Sequence, residues 1–316
     1  MNPIKSRAGL GLINFLVMTV FLGLTLYAQE GEHYPQFSLQ LSGEARIVAL
    51  GDINTALRTF NDNAVFEYIR KNNPPSDEVH GTVTPLRNAF FAGAIELQVD
   101  LSRRIGLGIS FSNGNQRERE DTLTYRTIRD VTWTDEFFYR SAIWIRPPLK
   151  MSLYYQLWCR SVFSSFISGG IGYYRGGLRQ QYNLTTSGGY TGYDEWTHRY
   201  WETETKATLG FHLGGGLEWR LSRPVSLIAE IQYRYARIGP LRGLTQTESS
   251  FPWSYEERGY LYFFTRENPI FGQRHADLEV WDVPPDASTD FIMDIRKAKL
   301  DLSGVSLQIG IKIGLF

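Results

Sequence analysis

Apolar and polar side chains alternate with a period of two along much of the chain. The segment from residue 225 to residue 235 shows this most clearly, because its even positions are mainly polar: Ser226, Glu230, Gln232 and Arg234. Its odd positions are Val225, Leu227, Ala229, Ile231, Tyr233 and Tyr235. Successive side chains of a β-strand point to opposite faces, so this alternation predicts a strand with one apolar and one polar face.

The same alternation predicts eight strands in all. They span about 37–47, 91–101, 105–112, 137–157, 163–173, 207–221, 225–235 and 305–315. The fourth segment contains Pro147 and Pro148, neither of which can donate a ladder hydrogen bond. The parity of its apolar positions continues across both prolines, which favours one bent strand. A turn at the prolines would instead give two shorter strands and move the total toward ten.

The connections between these segments alternate in length. Strands two and three, four and five, and six and seven are separated by only about three or four residues. The other connections are long, at about 49–89, 113–135, 181–203 and 243–296. Short turns at one end and long loops at the other are typical of transmembrane barrels, which have periplasmic turns and extracellular loops. The sequence therefore predicts an all-β fold, a closed antiparallel up-and-down transmembrane β-barrel.

Alternation by itself does not say which face points inward, because a soluble lipocalin-like barrel would enclose its apolar side. The polar face carries many glycines, such as Gly106, Gly108 and Gly172. Glycine weakens an exposed strand but fits the crowded lumen of an eight-stranded barrel. We therefore expect the polar face inside, with its charges cross-paired in a plugged lumen. The predicted lumen charge network consists of Glu44, Arg46, Glu96, Asp100, Arg140, Arg146, Lys150, Lys206, His212, Glu218, Arg220, Glu230, Arg234 and Lys312.

Aromatic residues mark two further regions. Tyr155, Trp158 and Trp219 fall near the short turns, where an interfacial girdle would lie, although ordinary core packing is the alternative. The loop at 251–281 is rich in aromatic side chains, and its contact candidates are Trp253, Tyr255, Tyr260, Tyr262 and Trp281. Exposed loop aromatics suit contact with a ligand or partner. They would equally suit a cap of packed rings or a hairpin that extends the sheet above the membrane.

The first long loop contains a helical pattern. Residues 52–70 begin with Asp52 as a possible N-cap, and Ile53, Leu57 and Phe60 share one helical face. This predicts a short helix packed over the mouth of the barrel.

The N-terminal segment predicts export. Lys5 and Arg7 precede an apolar run from Leu10 to Tyr27, and polar sequence begins after Ala28. This order is typical of a cleavable secretory signal peptide over residues 1–28, with the barrel domain over 29–316. An uncleaved inner-membrane anchor is the alternative, since the apolar run is long.

Composition excludes several functional classes. Of 316 residues, 33 are Lys or Arg and 33 are Asp or Glu, so no basic surplus indicates a nucleic-acid partner. The single cysteine cannot form an intramolecular disulfide or a cysteine-based zinc site. The five histidines are scattered, and none shows a metal-binding helical spacing or lies on an outward strand position. We therefore expect no cofactor, no metal and no enzymatic activity.

The chain resembles the outer-membrane β-barrel superfamily of bacteria, in particular the small OmpA-like and OmpW-like barrels. The resemblance covers about 36–316 and is most specific at LGFHLGGGLEWRLSRPVSLIAEIQYRYARIGPLRG and at the terminal VSLQIGIKIGLF. It implies outer-membrane location, contact with outer-membrane lipid and lipopolysaccharide, and recognition of the last strand, ending in Phe316, by the barrel-assembly machinery. In the usual pattern the last aromatic shares the apolar face, whereas here Leu315 does and Phe316 is one position out of step.

Such a fold hosts several functions, so it does not decide the role by itself. The leading hypothesis is a structural or surface-interaction protein with a plugged lumen and an unidentified extracellular ligand. The alternative is a passive channel or transporter for small solutes, including hydrophobic ones.

Overall fold

The fold is all-β apart from one short helix. The computed structural model describes residues 35–61, 77–128, 132–160, 162–188, 195–250, 254–267, 274–286 and 292–315. Residues 1–28, Trp253, residues 62–70 and Phe316, all named in predictions above, lie outside these ranges. No helix of the described residues is long and apolar enough to cross a membrane.

Nineteen strands and one helix make up the described residues. They are β1 (Gln36–Val48), α1 (Asp52–Asn61), β2 (Asp77–Gly81), β3 (Ala89–Asp100), β4 (Ile105–Ser112), β5 (Asn115–Ile128), β6 (Thr132–Ile145), β7 (Leu149–Cys159), β8 (Phe163–Tyr174), β9 (Gly176–Gly188), β10 (Glu195–Thr205), β11 (Thr208–Arg220), β12 (Val225–Tyr235), β13 (Arg237–Ile238), β14 (Leu241–Ser249), β15 (Ser254–Glu267), β16 (Arg274–Trp281), β17 (Ile292–Lys297), β18 (Leu300–Asp301) and β19 (Gly304–Gly314).

Eight of these strands close into an antiparallel barrel. Around the barrel the order is β1, β3, β4, β7, β8, β11, β12 and β19, and β19 pairs again with β1. Each barrel strand therefore pairs with the barrel strands that come before and after it in the sequence, as in an up-and-down barrel. The predicted fold class and strand number are confirmed.

The apolar side chains of these strands point away from the barrel axis. Leu209, Leu227 and Ile309 are 63%, 36% and 53% exposed, whereas Glu230 and Arg234 are 2% and 6% exposed. The orientation predicted from the glycine-rich polar face is therefore the one observed.

The loops at the long-loop end form a second sheet. Its strand order is β16, β15, β14, β10, β9, β6, β5 and β2, and β17 pairs with β15 to make nine strands. We call this nine-stranded sheet, together with α1, the cap. The regions expected as four long loops, at 49–89, 113–135, 181–203 and 243–296, thus contain most of the cap strands. The aromatic segment forms the hairpin of β15 and β16, which is the second of the two alternatives given for it.

The predicted fourth strand, 137–157, is wrong because the chain changes sheets at Pro147 and Pro148. Residues before the prolines belong to β6 in the cap, and residues after them belong to β7 in the barrel. Neither proline has an N–H for a ladder, so neither sheet continues through them. The predicted segment does divide into two strands, but the barrel still has eight strands because β6 joins the cap sheet.

Gly114 is required at the corresponding crossing from β4 to β5. A Cβ atom on Gly114 would lie 2.9 Å from the carbonyl oxygen of Ile145 and 3.1 Å from Cδ of Pro147. Only a residue without a side chain allows the two crossing segments to approach this closely.

The outward orientation of the apolar face predicts that a charge placed on this face destabilises the protein in a bilayer. We expect Ile309→Arg to lower the free energy of unfolding in phospholipid vesicles by about 2–4 kcal/mol, because an outward side chain at mid-strand would carry a cation into hydrocarbon. Denaturant unfolding followed by the heat-modifiable gel shift measures this. The control is Thr122→Arg, at an exposed cap position, which should change little. Equal stability of the two variants would contradict the outward orientation.

Candidate functional site

The centre of the barrel lumen holds a buried network of charges. Arg46 forms an ion pair with Glu44 and donates a hydrogen bond of 2.8 Å to Ser112 Oγ. Lys150 Nζ lies 3.9 Å from Glu44 and donates to Gln232 Oε1 at 3.3 Å. These side chains come from β1, β4, β7 and β12, so the network joins opposite parts of the barrel wall.

The network continues on the neighbouring strands. Glu230 accepts a hydrogen bond from Ser168, while Arg234 Nε donates to the carbonyl oxygen of Leu302 at 2.9 Å. The guanidinium of Arg234 also lies over the ring of Tyr174, 5.4 Å from its centroid. Together these contacts satisfy charges that would be costly if they were buried alone.

A second, smaller charge cluster lies toward the short turns. Lys312 Nζ is 3.5 Å from Asp100 and 3.5 Å from Glu218, and Asp100 also accepts a hydrogen bond of 2.7 Å from Gln98. Glu96, on the same inward face of β3 as Gln98, is 4% exposed.

A small apolar cluster also fills part of the lumen. Tyr154, Phe166 and Ile228 pack inside the lumen, and the rings of Tyr154 and Phe166 meet edge to face at 5.5 Å. Glycines make room for the rings: a Cβ on Gly216 would lie 2.5 Å from Phe166, and one on Gly108 would lie 2.9 Å from Tyr154. We call these three residues the apolar layer.

One pair in the lumen has the spacing of a catalytic dyad. Ser152 Oγ and His212 Nε2 are 2.9 Å apart and hydrogen-bonded. Both residues are buried, at 6% and 4% exposure, and among the described residues His212 Nδ1 has no hydrogen-bond partner. An acid on that nitrogen is what orients the histidine in a hydrolase triad. The pair is therefore best explained as part of the interior packing.

Ten of the fourteen predicted network residues lie inside the lumen, in the central network or in the cluster toward the short turns, and the other four lie outside these two groups. The correction concerns Arg140, Arg146, Lys206 and Arg220. Arg140 lies on β6 in the cap, paired with Glu118, and Arg146 precedes the prolines and pairs with Glu204 at 2.8 Å. Their inward assignment assumed one continuous strand from 137 to 157. Lys206 is exposed between β10 and β11, and Arg220 is exposed at the short-turn end of β11.

The cap sheet curls around α1 to form an apolar core above the lumen. The ring of Phe60 lies 4.6 Å from the ring of Tyr139 on β6, while Thr59 Oγ1 accepts a 2.8 Å hydrogen bond from the backbone N–H of Ala276 on β16. Five inter-strand steps of about 4.8 Å separate β6 from β16 in the sheet, so one helix reaches both only if the sheet is strongly curved. The core includes Leu50, Ile53, Leu57, Phe90, Leu178, Leu261, Phe263 and Leu300.

The predicted helix begins at Asp52 as expected, but the aspartate contacts another part of the chain. Its carboxylate accepts two hydrogen bonds of 2.6 Å from Arg296 and one of 2.8 Å from the N–H of Lys299. The predicted face is buried, since Ile53 and Leu57 are 0% and 2% exposed. Asp52 thus ties α1 to the chain that leads into the last barrel strand.

The inside of the curled sheet also holds polar aromatic and charged groups. The rings of Tyr139 and Tyr182 are 5.0 Å apart, and Arg199 on β10 reaches Glu279 on β16 at 3.0 Å. Burial raises the pKa of Tyr139 well above its usual value and also raises the pKa of Tyr182. Burial raises the pKa of Glu279 as well, an effect that Arg199 opposes. The phenols therefore stay protonated at neutral pH, so they offer hydrogen-bond donors and packing surface but no general base.

The predicted aromatic contact residues divide between packed and exposed positions. Tyr262 is buried, and Trp281 stacks on Phe264 with ring centroids 5.2 Å apart. Tyr260 has the Nζ of Lys297 3.7 Å from its ring centroid, which leaves Tyr255, at 37% exposure, as the most open of the described four.

Sequence reasoning missed the apolar layer and the ion pair of Arg199 and Glu279. A signal for the layer was present, because Tyr154, Phe166 and Ile228 interrupt the polar parity of their strands. The ion pair had no local signal, since Arg199 and Glu279 lie on β10 and β16, which are separated by two strands of a curved sheet.

Comparison with known proteins gives fold likeness only. No family model matches the chain, and no curated protein matches it. Among solved structures it is similar to Neisserial surface protein A (NspA), with 8% identity, a TM-score of 0.31 and coverage of 88% of this chain and 97% of that one. It is also similar to the outer membrane protease OmpT from Escherichia coli, with 9% identity, a TM-score of 0.33 and coverage of 91% and 99%. A Pseudomonas aeruginosa FadL homologue shows 6% identity, a TM-score of 0.20 and coverage of 89% and 90%. At these scores the likeness carries no inference about function.

The crowded lumen predicts that inward and outward glycines respond differently to substitution. We expect Gly216→Ala to lower the free energy of unfolding by about 1–3 kcal/mol, because the added methyl group overlaps Phe166. Gly43→Ala is the matched control, since Gly43 faces outward and nothing lies within 4 Å of its Cβ position. Denaturant midpoints of the refolded barrels compare the two. Equal losses at both glycines would argue against a packed lumen.

The lumen network predicts coupling between Lys150 and Glu44. Lys150→Met alone should cost about 3–5 kcal/mol, because it leaves excess buried negative charge. Adding Glu44→Gln should recover part of that loss, and a double-mutant cycle of unfolding free energies measures the coupling. Strictly additive losses would show that the two side chains do not interact.

Proposed function

We propose that this chain is an integral outer-membrane protein whose barrel anchors a folded cap at the cell surface, in a structural or surface-interaction role. The observation that carries the proposal is a closed barrel with a continuous apolar exterior and a filled interior. Exposed apolar side chains on all eight strands suit acyl chains, and closure leaves no unpaired strand edge in hydrocarbon.

Lipid contact follows from the same surface. The apolar exterior would lie against outer-membrane lipid, with lipopolysaccharide around the half nearest the cap. Tyr155, Trp158 and Trp219 are 39%, 48% and 45% exposed near the short turns, where an aromatic girdle would meet the periplasmic interface. Strand β19, which leads to Phe316, is the segment that the assembly machinery would recognise.

A surface role is better supported than passive transport. A solute entering from the cap side would meet the apolar core around Ile53 and Phe90 and then the ion pair of Arg46 and Glu44. Past these it would meet the apolar layer. The cap in turn offers an outer surface with exposed residues such as Tyr255 and Arg258 for contact with a partner. Its buried groups, including the Ser152–His212 pair, support a non-enzymatic role.

The single cysteine allows a direct test of location and topology. Cys159 is exposed at the end of β7, next to a short turn. A membrane-impermeant maleimide should leave Cys159 unlabelled on intact cells and should label it after the outer membrane is permeabilised. The counterpart is Thr122→Cys in a Cys159→Ser background, which places the thiol on the cap and should be labelled on intact cells. The reverse labelling pattern would invert the topology, and recovery of the protein outside the outer-membrane fraction would exclude the proposed location.

The filled lumen predicts that the barrel does not conduct ions across a bilayer. We expect the purified protein in planar lipid bilayers to give no large, stable conductance steps, because the apolar core, the charge network and the apolar layer block the barrel in series. A wide porin under the same conditions is the positive control. Large, stable steps from this protein would favour the channel hypothesis instead.

A further inference from the structure

An open cavity lies inside the barrel at its short-turn end. Its volume is about 730 Å³, which is within the range of sites for small organic ligands. Residues of all eight barrel strands and all three short turns line it, including Ser38, Asp100, Gln156, Ser164, Glu218 and Lys312. We call this cavity the vestibule.

The apolar layer lies just beyond the inner end of the vestibule on three strands. Gln156, Ser164 and Ser226 line the vestibule, and the next inward-facing residue on each of their strands is Tyr154, Phe166 or Ile228. These are the three residues of the apolar layer, which on these strands therefore lies between the vestibule and the centre of the lumen.

The wall of the vestibule is basic. Its charged residues are Arg103, Arg160, Arg220, Arg223, Lys312, Asp100 and Glu218. Lys312 lies 3.5 Å from both acids and so engages the only carboxylates in that set. Within the described residues, Arg220 and Arg223 form no ion pair, and Arg160 lies over the ring of Trp158 at 4.9 Å. A chain with balanced charges overall thus concentrates cations around one cavity.

We propose that the vestibule is a binding site for a small, multiply charged phosphate compound. Guanidinium groups present forked donors that match phosphate oxygens, and arginines from separate turns can engage separate phosphate groups at once. A single carboxylate would use only part of this charge, which is why a compound with several phosphates fits best.

The test measures binding of inorganic tripolyphosphate to the purified, folded protein by isothermal titration calorimetry, with orthophosphate for comparison. We expect one tripolyphosphate per barrel and weaker binding of orthophosphate. Arg220→Gln combined with Arg223→Gln should weaken tripolyphosphate binding at least about tenfold, since each loses a charge-assisted hydrogen bond.

The matched control removes two exposed arginines from the cap, Arg126→Gln with Arg242→Gln, and should bind tripolyphosphate as the native chain does. Both double variants lower the charge equally, so a general electrostatic attraction would weaken both alike and overturn the proposal. Absence of binding to the native protein would also overturn it. The substituted arginines are exposed, which leaves the packing of the barrel unchanged.

A steric variant tests the cavity without altering charge. Ser164→Phe fills the vestibule and should abolish tripolyphosphate binding while the arginines remain, with folding checked by the heat-modifiable gel shift. Native affinity in a folded Ser164→Phe protein would place binding on the outer surface of the turns and overturn the assignment to the vestibule.

Discussion

The structure depends on the requirement that every backbone N–H and C=O of a sheet in hydrocarbon find a partner within the protein. Closure of β19 onto β1 meets that requirement for the eight barrel strands. It also forces each strand to present one face to the outside and one to the inside. The outer face is then constrained to be apolar, while the inner face is free to carry charge, provided that the charges are paired.

Pairing inside so narrow a barrel leaves little empty space. Glutamates and cations from different strands meet across the lumen, as Glu44 and Lys150 do, and aromatic rings fill the remaining volume where glycines permit. The apolar layer shows that the interior is not uniformly polar. Its three residues lie on β7, β8 and β12, between the central charge network and the residues that line the vestibule.

The cap forms where the chain passes from the barrel into the second sheet. Pro147 and Pro148 stop one ladder and allow another to begin, and the close approach at Gly114 lets the neighbouring strand cross beside them. Above these crossings the sheet turns its apolar side toward α1 instead of toward lipid. The apolar face that would contact acyl chains below the crossing therefore becomes an enclosed core above it, and the cap can remain folded in water.

The sequence by itself determined the barrel, its eight strands, the orientation of its two faces and the start of α1, because period-two alternation and loop lengths are local properties of the chain. It also located most of the lumen charges, since parity along a strand assigns each residue to a face. Only the tertiary structure decided where parity is interrupted. Counting along one strand assigns Arg140 and Arg146 to the inner face of the barrel, yet the residues before the prolines belong to the cap or to the crossing into it. The contact of Arg199 with Glu279, the apolar layer and the basic vestibule depend on curvature and on strands distant in sequence, which no local pattern records.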